Sequence, residues 1–363
     1  MRKGVVVHID DAAEAIVRAI TEAERLSGMR IQGATVDING AHVAGLNSKG
    51  VIAISAANRE ITQEDRMRVE EAATIVKLPP NREIIQVFAK NYRLDGQENI
   101  KDPVGMHGVR LEVDTHIVTV SMPSLRNLDM ALEKAQVAPH NHTLSSLAAA
   151  EAVMDRQQKE AGTVLIDIGA GTTNLVVFED GEVQHVAVLP IGGLHITNDL
   201  AIGLKTDLAI AEAVKVRHAT LKPQSAKKDV RVKVDDQEHI FDSEEIAMIT
   251  EARVEELFEY ADKELTRIHR ARKLPGGIVL VGGTANMPGI ATFAREKMQL
   301  AARVGKLHGV SGLIDTVADP AYGAAVGLMM LDMLLVPEAG AAHGGQTSAR
   351  ALNFVDSIFR KFK

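Results

Sequence analysis

Leu165-Ile166-Asp167-Ile168-Gly169-Ala170-Gly171-Thr172-Thr173-Asn174-Leu175-Val176-Val177-Phe178 is the stretch that decides the fold. An apolar run ends in a carboxylate, bends through glycines with hydroxyls at the turn, and returns as a second apolar run. Gly169 and Gly171 at a tight bend let backbone N–H groups approach phosphate oxygens, Thr172 and Thr173 can add hydroxyl donors, and Asp167 can hold a magnesium ion through water. The same residues also fit an ordinary glycine-rich hairpin in which Asp167 is a turn residue. A second cluster, Val279-Leu280-Val281-Gly282-Gly283-Thr284-Ala285-Asn286-Met287-Pro288-Gly289, puts Gly282 and Gly283 behind a buried-type strand and Pro288 near a helix start. There a flat base or a ribose could lie against bare backbone; alone it reads equally as an αβ loop. Two such loops flanking a strand-strand-strand-helix unit point to a ligand, because ligands in α/β folds gather at strand carboxyl ends.

Working outward, 163–190 alternates as three consecutive strands, with Asp180-Gly181 as a hairpin turn. Upstream, 144–158 reads as one long helix of small residues. Residues 5–9 read as a strand, with Asp11 and Glu14 capping a helix that ends near Gly28; 31–38 and 50–54 are further strands. From Thr62, which with Asp65 caps a helix through 76, the pattern turns to α+β, with strands at 84–88 and 109–122 and a helix over 125–135. Downstream come helices at 196–204 and 207–217, alternation at 230–234, a helix over 243–273, a strand at 278–281 and helices at 288–299 and 320–335. The domain reading is 1–57, a first α/β domain; 58–140, an inserted α+β subdomain; 141–160, a connecting helix; 161–219 with 276–336, a second α/β domain; 220–275, a small subdomain; 337–349, a Gly/Ala/Ser linker; and 350–363, a separate tail.

The chain has 363 residues, 41 basic against 48 acidic side chains, a net charge of -7 and no cysteine. Disulfides, thiolate chemistry and cysteine metal sites are therefore excluded, and the mild acidity argues against nucleic acid as a general partner. No segment has the roughly 20 apolar residues that cross a bilayer. The thirteen histidines show no helical i,i+4 pair beside a carboxylate, so His8, His42, His140 and His142 read as surface or core residues. Asp229, Asp235 and Asp236 read as a solvated hairpin.

Aromatics are scarce, with eight Phe and no Trp, yet Phe354, Phe359 and Phe362 crowd into the last ten residues. There, Leu352, Val355, Ile358, Phe359 and Phe362 form one helical stripe, and Arg350, Arg360, Lys361 and Lys363 outnumber Asp356. Phenylalanines beside cations behind a flexible linker describe a helix lying on an anionic membrane surface. A helix docking on its own domain or on a partner groove is the other reading, but it rarely needs the linker or the basic cluster.

Over nearly its whole length the chain resembles FtsA, the family of actin-like bacterial cell-division proteins that tether the FtsZ ring. Residues 167–173 look like its second phosphate loop, Gly282-Gly283-Thr284 like its adenosine loop, and 144–154 like its first connecting helix. The run Pro190-Ile191-Gly192-Gly193-Leu194-His195-Ile196-Thr197-Asn198-Asp199-Leu200 and the pair Leu94-Asp95-Gly96-Gln97 and Asp102-Pro103-Val104-Gly105-Met106 are similar to segments typical of this family. The resemblance implies an actin-like ATPase (ribonuclease H-like) fold with two domains, an inserted subdomain and a membrane-targeting tail. It implies that Glu212 and Lys215 reach the ribose and base, although spacing alone fits a solvated i,i+3 charge pair. It also implies that 220–275 receives the FtsZ C-terminal peptide, with Arg253 the position to test, although the charged face of 243–270 reads by itself as solvated.

The family's first phosphate loop has no counterpart, and 5–9 matches only the third strand of its unit. Removing sheet strands leaves buried N–H and C=O groups unpaired at roughly 1–3 kcal/mol each, so Met1 is expected to be an internal methionine of a longer chain, or the chain a fragment. With Met1 as the true start, half the phosphate clamp would be missing.

The reading is thus an ATP- and magnesium-binding scaffold without a named general base. It self-assembles, binds FtsZ and anionic membrane, and works as a peripheral protein on the cytoplasmic face at the division site. A pilus-assembly adaptor of the same fold is one rival. An actin-fold kinase or strong ATPase is another; it would need a second carboxylate over the γ-phosphate, and none is read from the chain.

Overall fold

Residues 163–168 and 173–178 are buried without a break, the pattern of strands covered on both faces. In the computed structural model, which describes residues 3–55, 58–223, 228–235, 237–308 and 318–335, they form β7 (Thr163–Ile168) and β8 (Thr173–Glu179), followed by β9 (Glu182–Leu189). Asp180 and Gly181 turn β8 into β9 with φ of 57° and 84°, the doubly left-handed conformation of a two-residue hairpin. β12 (Gly277–Val281) lies parallel to β7, placing Val281 opposite Asp167, and β13 (Ala302–Val304) lies parallel to β12. The sheet order is β13-β12-β7-β8-β9.

Alternation along β7 sends its side chains to two cores. Val164, Ile166 and Ile168 pack with α6 (Gly193–Gly203), α7 (Leu208–His218), α8 (Ser243–Arg267) and α9 (Ile290–Met298). Leu165 joins Val176 and Phe178 on the opposite face with α4 (Ser145–Val153) and α10 (Gly323–Leu335). α4 and α10 touch through Gly327, where a Cβ would stand 1.8 Å from the Ala148 carbonyl oxygen. Small residues are what allow two helix backbones to come so close.

Before α4 the chain forms α1 (Ile9–Ser27), β1 (Gly33–Asp37), α3 (Met122–Lys134) and β6 (Ala138–Thr143), with β1 and β6 a parallel pair. Between β1 and α3 sits an antiparallel sheet of order β2-β5-β3-β4: β2 (Ala44–Ala53), β3 (Arg82–Leu94), β4 (Gln97–Ile100) and β5 (Arg110–Ser121). α2 (Gln63–Thr74) packs on it, and Gly50 makes room, since a Cβ there would meet the Val69 carbonyl oxygen at 2.0 Å. Thr62 and Asp65 form the reciprocal capping box expected at the start of α2.

Four local expectations change. Residues 5–9 are not a strand: Val5 makes an isolated bridge, and α1 starts at Ile9 with His8 as N-cap, so Asp10 and Asp11 sit in its first turn where the helix dipole favours them. The 144–158 helix is two helices, because Asp155 and Gln158 cap a new one, α5 (Arg156–Ala161). β6 lies in a segment to which the sequence pattern assigned no element. And β2, read as part of the first domain, belongs to the inserted sheet through its pairing with β5 from Ala44 to Ala53, ahead of the boundary at residue 58.

A hairpin of β10 (Asp229–Val234) and β11 (Gln237–Asp242) precedes α8, and α5 leads into β7. Among the described residues no helix is long and apolar enough to cross a membrane. The linker 337–349 and the tail residues Leu352, Phe354, Val355, Ile358, Phe359, Arg360, Lys361, Phe362 and Lys363 lie outside the described residues.

Candidate functional site

Asp167 ends the apolar part of β7 and is only 7% exposed. Burial pushes its carboxyl up from the usual carboxylate range, against the pull of the neighbouring Ser145 and Asn174 side chains. The turn that follows closes on itself, Gly169 N–H donating to Thr172 O at 3.0 Å. It is then stitched to the N-terminus of α6: Gly193 N–H donates to Gly169 O at 2.9 Å and Leu194 N–H to Ala170 O at 2.8 Å. A Cβ on Gly192 would stand 2.6 Å from Gly169 O, so the contact needs glycine.

The second glycine loop arrives from the other side. Gly282, at the end of β12, has φ +87°, and a Cβ on it would stand 2.5 Å from Ile168 O and 2.6 Å from Asp167 Oδ1. Gly283 differs, because a Cβ there would meet nothing within 4 Å, leaving an open backbone surface. Thr284 Oγ1 approaches α6, 2.7 Å from where a Cβ of Gly193 would lie. Lys215 Nζ, 3.6 Å from that same point, donates to Glu212 Oε2 at 2.7 Å, Thr197 Oγ1 at 2.9 Å and Gly193 O at 3.2 Å. Burial would raise the Glu212 carboxyl, but its hydrogen bonds with Lys215 and Thr197 outweigh this and hold it below its usual value. The pair is therefore anchored to α6 beside the loops and is not a free surface ion pair.

Asp167, Gly169, Glu212, Lys215, Gly282, Gly283 and Thr284 are thus brought together. Gly171 lies against the Lys3 backbone, whose Cα would be 3.5 Å from a Cβ there. Thr172 is buried, whereas the Thr173 hydroxyl donates to Ile191 O at 2.9 Å and so braces the turn after β9. Phosphate donors at this turn would come from backbone N–H groups and Thr172.

Sequence reasoning found no second carboxylate here, and the structure supplies one. Asp37, the last residue of β1, stands close enough to Asp167 for the charges to repel, and burial with that repulsion pushes its carboxyl up to about 7 despite the Ser145 backbone N–H. Its Oδ1 is buried without a hydrogen-bond partner. A signal was present: Val36-Asp37-Ile38 repeats the apolar-Asp-Ile of Ile166-Asp167-Ile168, but a single Gly40 follows in place of Gly169 and Gly171, and no hydroxyls follow it.

Arg253 on α8 is only partly exposed, its guanidinium gripping Asp199 on α6 from Nε and Nη2 and reaching Glu256 with Nη1. Asp199, then burial, set its balance, and it stays above the ordinary guanidinium value. It acts as a clamp between two helices. His140 and His142 pair with Asp332 and Asp129. Among the described residues no group of three or more His, Asp or Glu is placed to hold a metal.

Against this geometry, residues 40–119 match the family model of the SHS2 domain inserted in FtsA and residues 164–327 that of the cell division protein FtsA. The first range covers β2 to β5 apart from the last two residues of β5. The chain is 37% identical over 334 residues to the cell division protein FtsA of Pseudomonas aeruginosa, covering 91% of this chain and 80% of that one. It is 38% identical over 333 residues to that of Bacillus subtilis, covering 91% and 74%. The fold is similar to that in a PilM–PilN type IV pilus biogenesis complex (TM-score 0.61, 17% identity, 93% of this chain and 88% of that). It is also similar to Spiroplasma citri MreB5 bound to ADP (TM-score 0.50, 17% identity, 59% and 66%). These likenesses establish the actin-like fold.

Proposed function

The chain belongs to the FtsA family of cell division proteins, and from that premise we propose that it anchors the FtsZ ring to the inner face of the membrane, self-assembling when ATP and magnesium are bound. The observation that carries the reading is the meeting of the two glycine loops over Asp167, with Lys215, Glu212 and Thr284 grouped on the far side of Gly193. Backbone N–H groups of 170–172 would hold phosphate, Asp167 would hold magnesium through water, and the bare backbone of Gly283 would take the base. The solved MreB5 with ADP supports a nucleotide at such a fold.

In this account the small subdomain, 220–275, receives FtsZ. Arg253 contributes by fixing α8 against α6, and it would have to exchange Asp199 for an FtsZ carboxylate to bind FtsZ directly. The tail, 350–363, is the membrane contact. One amphipathic helix binds a bilayer weakly, and assembly multiplies it. The work is tethering, which needs nucleotide binding and not fast hydrolysis; steady phosphate release would favour the ATPase rival instead.

Flotation with anionic liposomes tests this. The full chain is expected to float and carry FtsZ with it, and FtsZ left at the bottom of the gradient would refute the tether. Phe359→Glu is expected to abolish flotation with nucleotide affinity and thermal midpoint unchanged; retained flotation would show that the tail is not the anchor.

A further inference from the structure

We infer that Asp37 and Asp167 form a two-carboxylate seat for one divalent cation, so that β1 supplies a cation-positioning residue at the nucleotide site. The inference rests on the ATP-binding reading above.

The first observation is the pairing. Two carboxylates at the ends of β1 and β7 stand close enough to repel, and among the described residues no Lys or Arg pairs with either. A buried carboxylate pair without a cationic partner is costly unless a proton or a cation lies with it.

The second observation is independent of charge. Ser145 is 3% exposed and Ser146 fully buried, both open α4 next to these carboxylates, and neither hydroxyl oxygen has a hydrogen-bond partner. Ser145 Oγ lies near enough to Asp167 to lower its carboxyl. Asp37 Oδ1 and Asn39 Oδ1 are buried and unpartnered as well. Folded proteins leave few buried polar atoms unsatisfied, and Ser145 adjoins both carboxylates, so the unpartnered Asp37 Oδ1 at this point suits a guest that accepts oxygen ligands. A hard cation fits this set. Magnesium in particular takes one or two protein carboxylates and completes its shell with water and phosphate oxygens, which agrees with two carboxylates here and not three.

The seat also assigns work to the two sides of the site. Asp167 comes with the glycine turn that faces phosphate, while Asp37 comes with the other domain. A cation shared by both would tie the ends of β1 and β7 together when nucleotide is present.

Manganese(II) provides the probe. Its binding to the full chain is followed by electron paramagnetic resonance, without nucleotide and with ADP, for wild type, Asp37→Asn and Asp167→Asn; ADP binding in EDTA is measured separately. Asp114→Asn, on β5 and paired with Arg93, is the control. The expected result is one manganese site in wild type, weakened at least tenfold by Asp37→Asn and by Asp167→Asn and unchanged in the control, with circular dichroism of all variants unaltered. Asp37→Asn with wild-type manganese affinity would overturn the inference and leave Asp37 as a charge at the N-terminus of α4. Absence of manganese binding in wild type would overturn it as well. ADP binding in EDTA with either of those results leaves the nucleotide reading standing, whereas loss of ADP binding under every condition removes that reading too.

Discussion

On one side of Asp167, β7 is hydrogen-bonded along both edges, to β8 and to β12; on the other, β1 pairs among the described residues with β6 alone. Near Asp167 the unsatisfied buried polar atoms fall on the β1 side, whereas others lie farther off, Thr250 and Asp262 on α8 and Arg303 on β13. Asp37 Oδ1, Asn39 Oδ1, His42 Nδ1 and the Ser145 and Ser146 hydroxyls gather around the end of β1 and the start of α4, while the turn 169–172 and the β12 loop are closed by backbone hydrogen bonds. The rigid side is thereby suited to present fixed N–H groups, and the open side to gain partners when a ligand arrives.

The joint between the sides is the most sensitive point. Gly327→Val would drive a side chain into the Ala148 carbonyl, and the expected loss is about 3 kcal/mol or more, read as a lower thermal midpoint for the whole chain. A midpoint within a degree of wild type would mean that α4 and α10 do not couple the two sides.

Gly282→Val attacks the rigid side alone. Left-handed φ and overlap with Ile168 O predict a loss of about 1–3 kcal/mol, with the turn displaced from Asp167. Urea denaturation would measure it, and an unchanged midpoint would show that this close approach is not needed for stability.

A milder effect sharpens the comparison at the inserted sheet. His116 on β5 accepts the Val186 N–H on its Nε2 at 3.1 Å and meets Asn47 Oδ1 through Nδ1 at 2.8 Å, so the ring is neutral with its proton on Nδ1. Burial, then His185, Lys90 and Arg267, hold it well below 6.5. The unfolded chain takes that proton near pH 6.5 and the folded chain does not, so stability is full above this pH and falls as pH drops below it, by at most about 1.4 kcal/mol per unit. His116→Gln keeps an acceptor for Val186 and is expected to flatten that slope in urea midpoints between pH 5 and 7.5; an unchanged slope would assign it to other groups.

What the sequence made legible follows from how each element encodes itself. The β7–β8 loop, the Asp180-Gly181 turn and the Thr62/Asp65 cap announce themselves because their geometry requires particular residues at fixed spacing. β6 could not be read in this way: Ala138-Pro139-His140-Asn141-His142-Thr143 is polar and contains a proline, and it becomes a strand by pairing with β1, whose register shifts opposite Pro139. Asp37 was hidden because the residues after it lack the second glycine and the hydroxyls that mark Asp167, and only tertiary packing brings the two together. For Arg253, the spacing on α8 gave its exposed-looking charge pattern but not Asp199, which is 54 residues away.

Calorimetric titration of the full chain with ATP in magnesium shows whether the side built on β7 and β12 is a formed nucleotide face. One ATP per chain is expected to bind, with binding lost in Gly282→Val while circular dichroism stays native. Absence of binding in wild type, or wild-type affinity in Gly282→Val, would contradict it.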